Sequence, residues 1–117
     1  TSINTLKASK SDAASANSRV GETRDLIEQL VRDSWSNLAT AKATHQFLAN
    51  QASISAEFLE LARKERKLGN RSLLDVLNGE TALINANSDA TSARTDVVIA
   101  TITLLNAMGR LELKAIQ

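Results

Sequence analysis

From Ile27 onward, apolar and small residues return at alternating four- and three-residue intervals: Ile27, Val31, Ser34, Leu38, Ala41, His45, Leu48, Ala52, Ser55, Leu59 and Ala62. That spacing sets them in one line along a helix, as in the seam of a coiled coil. A second row, Phe47, Ile54, Phe58, Leu61 and Leu68, falls on an adjacent face of the same helix. A helix with two apolar faces has more than one neighbour to pack on. The pattern resumes further on as Val76, Gly79, Leu83, Ala86, Ala90, Ala93, Val97, Ala100, Leu104 and Ala107. Here alanine recurs every seventh residue at 86, 93, 100 and 107, and small side chains at a seam let two backbones approach closely. Leu77, Ile84, Val98 and Leu105, with Ile102, widen this helix's apolar face as well.

Between the two patterns lies one clear break, residues 68–72. Gly69 can take the left-handed conformation that ends a helix. Ser72, with Asp75 three residues later, reads as a helix start resembling a capping box, with Asp in place of the usual Glu. The fold predicted is all-α: a long antiparallel, coiled-coil-like hairpin of unequal helices. Helix one is expected over about 5–67, the turn at 68–72, helix two over about 72–108 with Gly109 as its stop, and a tail at 109–117. At 1.5 Å per residue the arms would be roughly 90 Å and 55 Å long. The polar first 25 residues, with Gly21 and scattered Ser and Asn, have few apolar contacts to offer and are expected to fray.

Composition narrows the choice further. The 117 residues include no proline, no cysteine and only four glycines. The tight turns of a β-sandwich or a βαβ fold are therefore excluded. Ala, Ser, Thr and Asn make up 49 of the residues, and three aromatics (Trp35, Phe47, Phe58) are too few for a wide globular core. Trp35 is expected to pack. Fourteen basic against 13 acidic residues give a net charge of +1 without a basic stripe, which argues against nucleic acid as a partner. No apolar run approaches the roughly 20 residues that span a bilayer, and Thr1 opens a polar stretch, so no signal peptide is expected. His45 has no His, Cys or paired acid at metal-ligand spacing. A long hairpin offers no cleft in which Ser, His and Asp could meet, so neither an enzyme nor a cofactor is expected.

The residues around the break carry a resemblance. Leu68-Gly69-Asn70-Arg71-Ser72-Leu73-Leu74-Asp75-Val76-Leu77 resembles the G-x-R-[ST]-hydrophobic-hydrophobic-D-V-L turn of the TolC family of outer-membrane channel proteins. Val31-Arg32-Asp33-Ser34-Trp35 upstream and Leu104-Leu105-Asn106-Ala107-Met108-Gly109-Arg110-Leu111 downstream resemble the flanking stretches of that family, in the same order. The resemblance implies a piece of a longer protein: the periplasmic hairpin of the second of two tandem repeats, in a trimer whose β-barrel crosses the outer membrane of a Gram-negative bacterium. It implies a passive exit duct for type I secretion or drug efflux. The implied partners are a periplasmic adaptor (membrane-fusion) protein and, through it, an inner-membrane ABC or proton-driven transporter. The isolated segment is expected to self-associate. An alternative from another class is a structural hairpin of the periplasmic adaptor itself; a third is a four-helix bundle formed by dimerisation.

By that resemblance the tip, the gate and the adaptor-docking surface comprise Gly69, Arg71, Ser72, Leu73, Leu74, Asp75, Leu77 and Asn78. Asp75 matches the acid at the constricted entrance, and it is equally a carboxylate in the first turn of a helix, where it stabilises the N-terminus by about 0.3–1 kcal/mol. Arg71 matches the arginine that makes closing contacts; the plainer alternative is an exposed turn residue. Asn78 departs from members that carry a second acid there, which weakens the case for acidic gating.

Overall fold

The computed structural model describes residues 2–116. Two helices account for nearly all of them: α1, Ser2–Lys67, and α2, Leu73–Ile116. Among the described residues there is no strand, and the architecture is the all-α helical hairpin that the spacing predicts. Contacts divide the chain into two units: residues 36–102, which contain the turn, and residues up to Trp35 together with those from Thr103 onward.

In the turn unit, Leu59, Ala62 and Val76 form a buried cluster with Leu83 packed against it. Ala62 is wholly buried at 0% exposure, and Ala52, Ala86 and Ala93 are buried along the same contact. The alternating large and small residues explain this. Where alanine faces the partner helix the backbones close in, and the neighbouring leucines fill the space to either side. Gly79 continues this logic, since a Cβ there would lie 3.3 Å from Leu59 Cδ1 and 3.7 Å from Phe58 Cε1. The other seam residues of this unit, Leu38, Ala41, His45, Leu48, Ser55, Ala90, Val97 and Ala100, are half-buried. In the second unit Ile27, Ser34, Leu104 and Ala107 are buried, with Val31 and Leu111 half-buried. The seam in each helix is the row with the regular four-three spacing.

The second rows are exposed. Phe47, Ile54, Phe58 and Leu61 on α1, Leu68 just past its end, and Leu77, Ile84, Val98, Ile102 and Leu105 on α2 are all exposed. Within the turn unit their sides differ. Arg63 and Glu80 pair across the helices at 3.1 Å and mark one flank. At 100° per residue, Leu77, Ile84, Val98 and Ile102 lie on that flank of α2. The Phe47–Leu61 row of α1 lies on the opposite one, beside the α2 flank that carries Asp75, Asp89 and Asp96.

Two expectations are corrected. The first is the N-terminal part, which is helical from Ser2 rather than from about residue 5 and passes through Gly21 without a break. A helix already nucleated downstream gains one hydrogen bond per added residue, and a single Gly costs only about 1 kcal/mol against that. The second is the end of helix two, placed near 108 with a tail at 109–117. α2 instead continues through Gly109 to Ile116. The seam runs on in register at Leu111 and Lys114, both half-buried, and this packing outweighs the glycine's preference for a stop. Trp35 is exposed on the hairpin's own surface, so any packing it makes is with a neighbouring chain.

Candidate functional site

Backbone chemistry builds the turn. α1 ends in a Schellman motif: Asn70 N–H donates to Glu65 O and Gly69 N–H to Arg66 O, both at 2.9 Å. Gly69 sits at φ 81°, where a side chain is strained. Gly69→Ala is accordingly expected to destabilise the hairpin by about 1 kcal/mol, read as a lowered urea midpoint with an unchanged m-value. The C-terminal end of α1 also suits its side chains, because Lys64, Arg66 and Lys67 occupy the last turn, where the negative end of the helix dipole favours cations.

α2 starts at a Ser72 N-cap. Ser72 Oγ accepts from Asp75 N–H at 3.2 Å, and Ser72 O accepts the first helical bond from Val76 N–H at 3.4 Å. Asp75 is the acid in the first turn of α2. Ser72→Ala is expected to cost about 1 kcal/mol by the same urea measurement, and Ser72→Asp to recover most of it. With one stop and one cap within residues 68–72, the chain reverses without proline.

The residues singled out from the sequence are brought together at this turn. Gly69, Ser72, Leu73, Leu74, Asp75, Leu77 and Asn78 are exposed, whereas Val76 and Gly79 turn inward to the seam. Arg71 is not the freely exposed turn residue of the plainer alternative, since its side chain is only 29% exposed. Its Nε donates to Glu65 Oε2, and its guanidinium carbon lies 5.3 Å from the centre of the Phe58 ring. Glu65 and Phe58 were missed as members of this group. The signal available was their shared seven-residue spacing on the flank of α1 that ends at the turn.

His45 is half-buried on the seam beside an open groove lined by Lys42, Gln46, Ala49, Asn50 and Val97. Among the described residues no cluster of His, Cys, Asp and Glu could hold a metal ion. None of the described helices is long and apolar enough to cross a membrane.

The chain is an all-α hairpin with a partly buried inner seam, exposed outer apolar rows and a capped turn. Comparison with known proteins gives its family. The family model for outer membrane efflux proteins matches residues 3–110, and the chain belongs to that family. It is 36% identical over 108 residues to the outer membrane efflux protein BepC of Brucella suis biovar 1 (strain 1330), a match covering 91% of this chain. The chain spans 23% of that relative's length. No solved structure gives a significant match. Family membership places the protein at the outer membrane of Gram-negative bacteria.

Proposed function

We propose that this chain is a periplasmic hairpin from the wall of a trimeric outer-membrane channel, serving as a passive exit duct in efflux or type I secretion. The observation that supports it best is the pair of exposed apolar rows on opposite flanks of the turn unit. The inner seam is already satisfied by the hairpin itself. Rows on both sides then ask for a neighbour on each, as in a closed ring of helices. In this reading the turn is the periplasmic entrance and meets the adaptor protein through Leu73, Leu74 and Leu77. Gly69 and Ser72 set the shape of the tip, and Arg71, Asp75 and Asn78 supply its polar contacts. The transporter in the inner membrane, ABC-type or proton-driven, couples through the adaptor. The hairpin does no chemistry of its own; it positions surfaces.

The competing reading, a hairpin of the adaptor itself, loses its motivation because the matching family is that of the outer membrane efflux proteins. The test uses the full-length channel co-expressed with its cognate adaptor. Single cysteines replacing Leu74 and Asp75 are expected to cross-link to the adaptor, while one replacing Ser53, exposed on α1 away from the turn, is not. Equal yields at all three positions, or none at the tip, would remove the docking role from the turn.

A further inference from the structure

Arg71 is the half-buried member of the turn set, and the residues that hold it lie on α1 rather than in the turn. We propose that Glu65 and Phe58 are positioning residues for Arg71, fixing its guanidinium in advance for an acceptor oxygen on the docking protein. The inference rests on the reading of the turn as a docking tip.

Three contacts make the arrangement. Glu65 Oε2 accepts from Arg71 Nε, a charge-assisted bond between side chains 31% and 29% exposed. The Phe58 ring lies under the guanidinium, 5.3 Å from its carbon, within range of a cation–π contact. Phe58 is itself steadied from below. The ring lies against α2 at Gly79, where a Cβ would stand 3.7 Å from Phe58 Cε1 and 3.8 Å from Cδ1, ordinary contact distances. Phe58 is 46% exposed, against 68% for Phe47 eleven residues earlier on the same flank. That difference fits a ring that is covered at one end.

The chemistry follows from the shape of arginine. Its planar fork carries five N–H donors, and the bond to Glu65 occupies one of them, at Nε. The ring fixes the plane of the fork and the carboxylate fixes its rotation within that plane. The donors on the two Nη atoms are then set in direction before any partner arrives. An arginine loose in solution loses its rotamer freedom on docking, whereas this one has lost it on folding. The acceptor that suits the preset fork is a carboxylate, which takes two parallel N–H groups. A lysine at 71 would keep the charge and lose the orientation.

The test has two arms. In the first, the arginine side chains of the chain are labelled with ¹⁵N, and the Arg71 Nε–Hε signal is assigned by its loss in Arg71→Lys. Its exchange with water is expected to be about three- to tenfold slower than that of Arg66, as for a partly exposed charge-assisted bond. Glu65→Gln should abolish the slowing, and Phe58→Leu should abolish the ring-current shift, both at unchanged helicity. Should Phe58→Leu lose helicity, Glu65→Gln decides alone, because its side chain is a partly exposed isostere. Equal exchange at Arg71 and Arg66, or no response to Glu65→Gln, overturns the positioning.

In the second arm, the full-length channel carrying Asp75→Cys is cross-linked to the adaptor. Glu65→Gln and Arg71→Lys are each expected to lower the yield by about threefold, and together by no more than either alone, since they interrupt one unit. Additive losses, or unchanged yield with the slow Arg71 signal abolished, refute the positioning role while leaving docking intact. Absence of cross-linking in the unmutated background, with the slow signal present, refutes the docking reading instead.

Discussion

Leu59→Ala is expected to lower the stability of the turn unit by about 2–5 kcal/mol, the range for removing a buried leucine whose site cannot collapse. Leu59 is 3% exposed and belongs to the cluster with Ala62 and Val76. The neighbours on the partner helix are already at close approach, with Leu59 Cδ1 3.3 Å from where a Cβ at Gly79 would stand. A hairpin of two helices buries little apolar area, so its net stability is small and a loss of this size removes most of it. Urea titration followed by circular dichroism is the measurement, at fixed protein concentration because association adds to apparent stability. Ile54→Ala serves as the control. It deletes a comparable side chain from an exposed row and is expected to shift stability by no more than about 0.5 kcal/mol in the monomer. Equal effects at 54 and 59 would mean that the four-three row is not the seam.

The second large effect concerns association rather than folding. Ile54→Glu on the α1 flank and Ile84→Glu on the α2 flank are each expected to weaken self-association of the chain more than tenfold. Burial of an isoleucine is worth about 1.5–3 kcal/mol, and each 1.4 kcal/mol is a factor of ten. Both residues are exposed in the single chain and interrupt no seam contact, so helicity should stay unchanged. The two rows lie on opposite flanks, so a contact between copies can set one flank against the other. Either substitution alone should suffice to disrupt a contact of that heterologous kind. Sedimentation velocity across a concentration series reads the outcome. Sedimentation that is the same for both variants and the unmutated chain would show that the outer rows are not the contact surface.

How much could be read beforehand differs from element to element. The backbone reversal at the turn was legible, because Gly69, Ser72 and Asp75 act through their own backbone neighbourhoods, within four residues of themselves. The seam was legible because a helix repeats every 3.6 residues, and the four-three spacing marks the row that faces an antiparallel partner. The ends were not. Gly109 is a stop by local preference, yet α2 continues to Ile116, since Leu111 and Lys114 keep the seam going. The first 25 residues were read as fraying from their propensities, while in the structure they extend a helix nucleated elsewhere.

The pattern of positions along the chain thus specified two helices, their seams and the reversal between them, along with a surplus of apolar rows beyond what one hairpin contact uses. All of these depend on interactions that are short-range or periodic. Only the tertiary structure decided which apolar rows are left outside, and on which flank each one lies. That outcome depends on how two helices dock across the turn, which neither helix encodes alone. The tertiary structure also decided the fate of Arg71. Its partner Glu65 is six residues away and Phe58 thirteen, across a reversal of chain direction. A side chain's direction is settled by what surrounds it, and those surroundings exist only once α1 and α2 have packed.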